Sequence, residues 1–207
     1  MTKVKICGIT NLRDARACVY HGADFIGFVF YKKSRRYISA ARAKKIIEKL
    51  PQNIRKVGVF VNQAPEEVKR IARLCRLDYL QFHGDETPDY LNSFNDFQII
   101  KAFRIRDKLD LKTLSSYKVD YFLFDTFSKN AFGGTGRKFD WKLLKALKNK
   151  KPLFFVSGGL TVQNVSEMVG LVKPFCVDVS SGVEKAPGRK DHRLVKEFIK
   201  VVKSNDK

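Results

Sequence analysis

Short, nearly continuous apolar runs rich in Val, Ile and Phe recur along the chain, and each is followed by a stretch in which apolar positions return at helical spacing. Continuous runs of this length suit strands buried on both faces of a parallel sheet better than half-exposed strands, which would alternate. They fall near Val4–Cys7, Phe25–Phe30, Val57–Val61, Tyr79–Phe82, Ile99–Phe103, Tyr121–Asp125, Leu153–Ser157 and Phe175–Val179. Helices are predicted from Asn11 to Tyr20, stopped by Gly22, and over Ala40–Leu50, with Ser39 as N-cap and Pro51 as stop. Pro65–Ile71 carries proline in its first turn, and Pro88–Phe94, Leu109–Tyr117, Trp141–Leu147, Val162–Val169 and His192–Val202 complete the series. Strand and helix alternate eight times. That predicts an α/β protein built as a closed (β/α)8 TIM barrel. An open doubly wound sheet is the alternative, but a G-x-G-x-x-G opening is absent where it would be needed.

Length narrows the picture. At 207 residues the chain is near the lower limit for such a barrel, so residues 1–207 are expected to form a single catalytic domain. No linker or low-complexity tract interrupts it. The first strand begins within a few residues of Met1, and no apolar run approaches the ~18 residues of a membrane span, so a cytoplasmic protein without membrane contact is expected. Cys7, Cys18, Cys75 and Cys176 have irregular spacing and no Cys-x-x-Cys pair, which supports reduced thiols rather than a disulfide framework or a zinc site.

Charge changes the picture more. Lys plus Arg number 41 against 21 Asp plus Glu, a net charge of +20. The cations are spread over every helix, with no Arg-rich arm and no ladder of aromatics for stacking bases, so no nucleic-acid partner is expected. A positive field would instead steer a small polyanionic substrate to its site.

The chemistry concentrates at strand ends. Val177-Asp178-Val179-Ser180-Ser181-Gly182-Val183-Glu184 runs from a strand into a turn of small hydroxyl residues, and Phe154-Phe155-Val156-Ser157-Gly158-Gly159-Leu160 repeats the design with paired glycines. In a barrel the loops after strands seven and eight frequently hold a phosphate, so Gly158, Gly159, Ser180, Ser181 and Gly182 are assigned to one, with backbone N–H groups as donors. The first strand ends on Cys7 and the sixth on Asp125. Alone, Cys7 reads as a small buried apolar residue and Asp125 as a turn cap. Together, beside one phosphate site, they form a thiol and carboxyl pair able to do acid/base work on a sugar phosphate. His83 at the fourth strand end either orients a ligand or packs the rim. His21 reads as a helix C-terminal residue and His192 as a surface residue. The glycine-rich segment Thr126–Lys138 is long enough to be a lid that excludes water, and Trp141 reads as an anchor for its helix.

Lys5-Ile6-Cys7-Gly8-Ile9-Thr10, Gly27-Phe28-Val29-Phe30 with Ser34-Arg35-Arg36-Tyr37-Ile38, Val57-Gly58-Val59-Phe60-Val61-Asn62, Gln81-Phe82-His83-Gly84, Phe124-Asp125-Thr126, Gly133-Gly134-Thr135-Gly136, Phe139-Asp140-Trp141 and the two phosphate turns closely resemble the phosphoribosylanthranilate isomerase family of tryptophan biosynthesis. The resemblance runs from Lys3 to about Asp191. It implies a barrel of the ribulose-phosphate-binding type and an Amadori rearrangement of N-(5-phosphoribosyl)anthranilate to 1-(2-carboxyphenylamino)-1-deoxyribulose 5-phosphate, with no metal or organic cofactor. By the family pattern Asp125 is the general acid, Cys7 the general base, Arg36 the ligand of the anthranilate carboxylate, and Asp178 a partner of a ribose hydroxyl. The substrate is thus both phosphorylated and carboxylated, and the enzyme a monomer or homodimer. A base at Cys7 needs thiolate character, which burial opposes, so some positive group must help it, and the substrate's own protonated imine can supply that charge as the proton is taken. Indoleglycerol-phosphate synthase shares the phosphate turns, but its Lys and Glu constellation is not matched at these strand ends. The histidine-pathway isomerase uses two aspartates, and Cys7 argues against it.

Overall fold

A computed structural model describes residues 1–126, 140–147 and 153–205. Eight parallel strands close on themselves in sequence order, β1 (Lys3–Cys7), β2 (Phe25–Val29), β3 (Arg55–Phe60), β4 (Tyr79–Phe82), β5 (Gln98–Ile105), β6 (Tyr121–Thr126), β7 (Leu153–Val156) and β8 (Cys176–Val179). The seam is the β1–β8 pair, in which Lys5 lies opposite Asp178. The helices are α1 (Leu12–Tyr20), α2 (Ala40–Ile47), α3 (Pro65–Cys75), α4 (Pro88–Leu91), α5 (Leu111–Ser115), α6 (Val165–Val172) and α7 (His192–Ser204), with 3₁₀ turns at Asn92–Phe94, Trp141–Leu147 and Ser181–Val183. The predicted (β/α)8 TIM barrel is the fold observed.

Alternation along each strand decides which side chains face the axis. Val4 and Ile6 point outward into the large core shared with the helices, whereas Lys5 and Cys7 take the inward positions of β1. Inside, Phe25, Val57, Ile100, Leu123, Phe155 and Cys176 pack the lower barrel, with Tyr79, Tyr121 and Phe175 against them. The rings there meet mostly edge to face, as Phe25 does with Phe155 at 5.4 Å. Above them, near the C-terminal mouth, the packing narrows to Cys7, Val29 and Val59. The axis therefore changes from a dry aromatic floor to a polar mouth, and the chemistry sits at the change.

Element boundaries differ from the sequence prediction where side chains compete for backbone groups. α6 starts at Val165 rather than Val162, because the Asn164 side chain accepts from the Thr161 N–H and donates to the Gly159 carbonyl, holding the intervening turn non-helical. α5 is shorter than Leu109–Tyr117: Asp110 caps its start, and the hydroxyls of Ser115 and Ser116 bond the carbonyls of Lys112 and Thr113 at its end. α2 stops at Ile47, with Lys49 and Leu50 continuing in tighter i to i+3 turns. α3 continues past Ile71 to Cys75 and ends on Arg76 in the left-handed region, φ 48°. A small hairpin, β9 (Glu184–Ala186) with β10 (Arg189–Lys190), follows the last barrel strand and was not predicted.

Candidate active site

The two predicted phosphate turns meet at the mouth of β7 and β8, where Ser157, Gly158, Gly159, Ser180, Ser181 and Gly182 line one small hollow. Gly158 and Gly159 have φ of +88° and +66°, so the backbone there adopts consecutive conformations that L side chains rarely reach. Gly182 is needed for another reason: a Cβ on it would overlap the Leu160 carbonyl oxygen. Gly182→Ala must therefore part the two turns. Its KM is expected to rise about tenfold or more, from losing a charge-assisted hydrogen bond of ~1.5–3 kcal/mol, with kcat within a few-fold, as steady-state kinetics would show.

A second hollow adjoins the first and is lined by Cys7, Arg36, His83, Asp125, Asp178 and Ser180, among others. All the candidate side chains thus reach a common space from five different strand ends or following loops. β1 delivers Cys7, whose surroundings are Val29, Val59 and Tyr31. Burial pushes the Cys7 thiol above its ordinary pKa. Lys5 and Lys190 pull against that, Asp178 adds to it, and the net shift is upward. Without substrate the sulfur rests as a thiol at neutral pH.

Asp125 ends β6, only 3% exposed, and has partners on both oxygens. Oδ1 accepts from the Thr126 N–H at 2.7 Å, and Oδ2 lies 3.1 Å from His83 Nε2. His83 Nδ1 in turn faces the Gln81 side-chain nitrogen at 2.9 Å. In that arrangement Nδ1 accepts, so Nε2–H donates to a carboxylate. Turning the Gln81 amide over would place its oxygen, otherwise buried without a partner, on a protonated Nδ1 and leave Nε2 to accept from a carboxylic acid. The triad can therefore accommodate Asp125 in either protonation state. The loop after His83 is fixed by a buried ion pair, Lys101 to Glu86 at 2.7 Å, in which Lys101 also donates to the Gly84 carbonyl and Glu86 accepts from the Gly84 and Asn62 N–H groups.

Arg36 follows β2 and turns one edge of its guanidinium onto Glu184, through Nε at 3.0 Å and Nη2 at 2.7 Å. Its neighbour Arg35 is exposed. Glu184 also receives Lys190, whose buried ammonium at 2.8 Å donates as well to the carbonyls of Cys7 and Ser180. Burial pushes the Glu184 carboxyl up, yet Arg36 and Lys190 together outweigh it and its pKa lies below the ordinary value. Its stabilisation is thus full above the ordinary carboxylate range and is lost only as pH falls through the lowered value.

Several functional groups escaped the sequence reading. Lys5 is fully buried and paired with Asp178 at 2.8 Å, leaving the second Asp178 oxygen buried without a partner. Lys5, Gln81 and Lys101 each interrupt an apolar strand, and that interruption was the available signal. For Glu184 and Lys190 the signal was Pro187-Gly188, a turn pair between them that marks the hairpin. His192 is not the simple surface residue expected: its Nε2 pairs with Asp14 at 2.8 Å, and it is only half exposed. His21 caps the end of α1, but burial and then Lys196 and His192 lower its pKa, so it brings little positive charge to the helix end. Beyond Thr126, the proposed lid Thr126–Lys138 lies outside the described residues, as does Phe139. Among the described residues no cluster of His, Cys, Asp and Glu could hold a metal ion, and no helix is long and apolar enough to cross a membrane.

The family model for N-(5′-phosphoribosyl)anthranilate isomerase matches residues 4–201. The chain is 50% identical to the N-(5′-phosphoribosyl)anthranilate isomerase of Caldanaerobacter subterraneus subsp. tengcongensis over 98% of each sequence. Among solved structures it is similar to monomers generated from the dimeric phosphoribosylanthranilate isomerase of Thermotoga maritima, with TM-score 0.89, 40% identity and 99% and 100% of the two chains covered. It is also similar to a phosphoribosylanthranilate isomerase in complex with reduced 1-(o-carboxyphenylamino)-1-deoxyribulose 5-phosphate, with TM-score 0.86, 39% identity and 99% and 100% covered.

Proposed function

The chain belongs to the N-(5′-phosphoribosyl)anthranilate isomerase family and is an isomerase of tryptophan biosynthesis, and from that premise we propose that Asp125 and Cys7 are the acid and base of its Amadori rearrangement. The observation that carries the assignment is the shared hollow into which both side chains project beside the glycine-rich turns.

In the first step the Asp125 carboxylic acid gives its proton to the furanose ring oxygen. The C1′–O bond breaks as the anilino nitrogen lone pair forms a protonated Schiff base. The resulting carboxylate keeps the Thr126 N–H on Oδ1, and its Oδ2 stays beside His83 Nε2. In the second step the Cys7 sulfur removes the C2′ proton. The C–H electron pair becomes the C1′=C2′ bond, the iminium pair returns to nitrogen, and an enolamine forms. Protonation at C1′ with loss of the C2′ hydroxyl proton then gives the ketone. Each proton transfer of this kind is worth about 10²–10⁴-fold.

Binding follows the remaining groups. The phosphate is read as held by the backbone of Gly158, Gly159, Ser180, Ser181 and Gly182, for which positive φ and the absence of a Cβ are the supporting features. Glu184 occupies one edge of Arg36, so the other is left to grip the anthranilate carboxylate. The unpartnered oxygen of Asp178 suits a ribose hydroxyl, and His83 orients Asp125. All these residues come from a single chain, so a monomer or a homodimer would serve equally, with residues 1–207 acting as a single catalytic domain. Four free thiols are compatible with work in the cytoplasm.

A crystal structure with the reduced product analogue tests the binding assignments. The phosphate is expected ~3 Å from the turn N–H groups, with the carboxylate on Arg36. A carboxylate bound away from Arg36, or a phosphate outside the two turns, would refute them.

A further inference from the structure

A base buried at the top of a dry barrel needs a counter-charge, and β1 carries one two residues below it. Lys5 and Cys7 share the inward face of the strand, Lys5 fully buried and Cys7 8% exposed at the mouth. Cross-strand register sets Lys5 directly opposite Asp178 of β8, and the 2.8 Å pair fixes the ammonium there. Burying a lysine inside the barrel costs several kcal/mol unless it is paired, and an apolar residue would fill the same position without that cost. Burial works against the charge most strongly of any single cause, but Asp178, by charge and hydrogen bond, together with Cys7 and Cys176 outweighs it, so Lys5 stays an ammonium. Among the groups that pull the Cys7 thiol down, Lys5 is the largest.

We propose that Lys5 is a positioning residue for the base: held by Asp178 beneath Cys7, its ammonium is the counter-charge that lets the sulfur act as a thiolate. This deepens the reading of Cys7 as the base and rests on it. The thiol proton leaves for solvent through the barrel mouth, and the sulfur, matched by Lys5, then takes up the C2′ proton and is a thiol again. The other charged or titratable groups facing this space are Lys190 of β10, Tyr31 and Arg36 after β2, His83 after β4, Asp125 of β6, and Asp178 and Cys176 of β8. Lys190 is already engaged with Glu184 and two carbonyls. Arg36 is turned to Glu184 and His83 to Asp125. Lys5 is the cation whose carboxylate partner, Asp178, itself faces the base.

The test is the pH dependence of iodoacetamide alkylation, followed on the Cys7 peptide by mass spectrometry in wild type, Lys5→Met and Lys5→Gln. Lys5→Met is expected to move the midpoint up by about one pH unit or more, slowing alkylation about tenfold on the rising limb. Lys5→Gln, which can still hydrogen-bond Asp178 but carries no charge, is expected to move it up in the same way. A purely structural role would loosen the mouth in both variants, speeding alkylation without raising either midpoint, and would overturn the proposal. Should Lys5→Met fail to fold, Lys5→Gln decides alone, and an unmoved midpoint sinks the idea. Where Lys5→Met folds, its kcat is expected to fall about tenfold, with KM within threefold, and to recover partly as pH rises. Alkylation reads the sulfur without substrate, so a failure of the counter-charge is separable from a failure of Cys7 as base.

Discussion

Asp125→Asn is expected to lower kcat for phosphoribosylanthranilate by about 10²–10⁴-fold, the usual worth of a positioned general acid, while KM changes only a few-fold. The substitution is close to isosteric. Its oxygen can still accept from the Thr126 N–H, and its amide nitrogen can donate to His83 Nε2 once the Gln81 amide turns over. Every hydrogen bond of the site can therefore be kept while the transferable proton is lost. Steady-state kinetics with a thermal melt beside it would check this, and a folded variant with kcat within threefold of wild type would remove Asp125 from the mechanism.

The second large effect is at Cys7. Cys7→Ala deletes one sulfur atom from a contact with Val29 and Val59 at the open end of the barrel, so little packing is lost. Turnover is expected to fall by a similar 10²–10⁴-fold, because no other group at that strand end can take the C2′ proton. Cys7→Ser should not rescue it. A hydroxyl at the same place would feel the same burial that pushes the thiol up, and it starts as a far weaker acid. Ring opening precedes the base step, so the two variants should stall at different points. Cys7→Ala is expected to accumulate the Schiff base, visible as an absorbance change in single turnover, and Asp125→Asn to leave the furanose closed.

The barrel was legible because its strands are buried on both sides and therefore read as unbroken apolar runs. Helix ends were less so. Asn164, Asp110 and the Ser115–Ser116 pair each trade a helical hydrogen bond for a side-chain one, a competition settled by local geometry. Within the site, the residues that close strands could be found from the strands alone, since a parallel barrel presents its C-terminal strand ends to substrate. The residues beneath and beside them could not. Lys5 is a charge inside an apolar strand, and only the register that faces it with Asp178 explains why it can stay there. Glu184 and Lys190 act through a hairpin whose turn has no strong hydrophobic pattern to announce it.

The most direct measurement is the decay of anthranilate-derived fluorescence after phosphoribosylanthranilate is generated enzymatically and wild type, Cys7→Ala or Asp125→Asn is added. Rapid decay with wild type, and slow decay with each folded variant, is the result this account predicts. Decay at the wild-type rate in either variant would contradict the division of labour between Asp125 and Cys7.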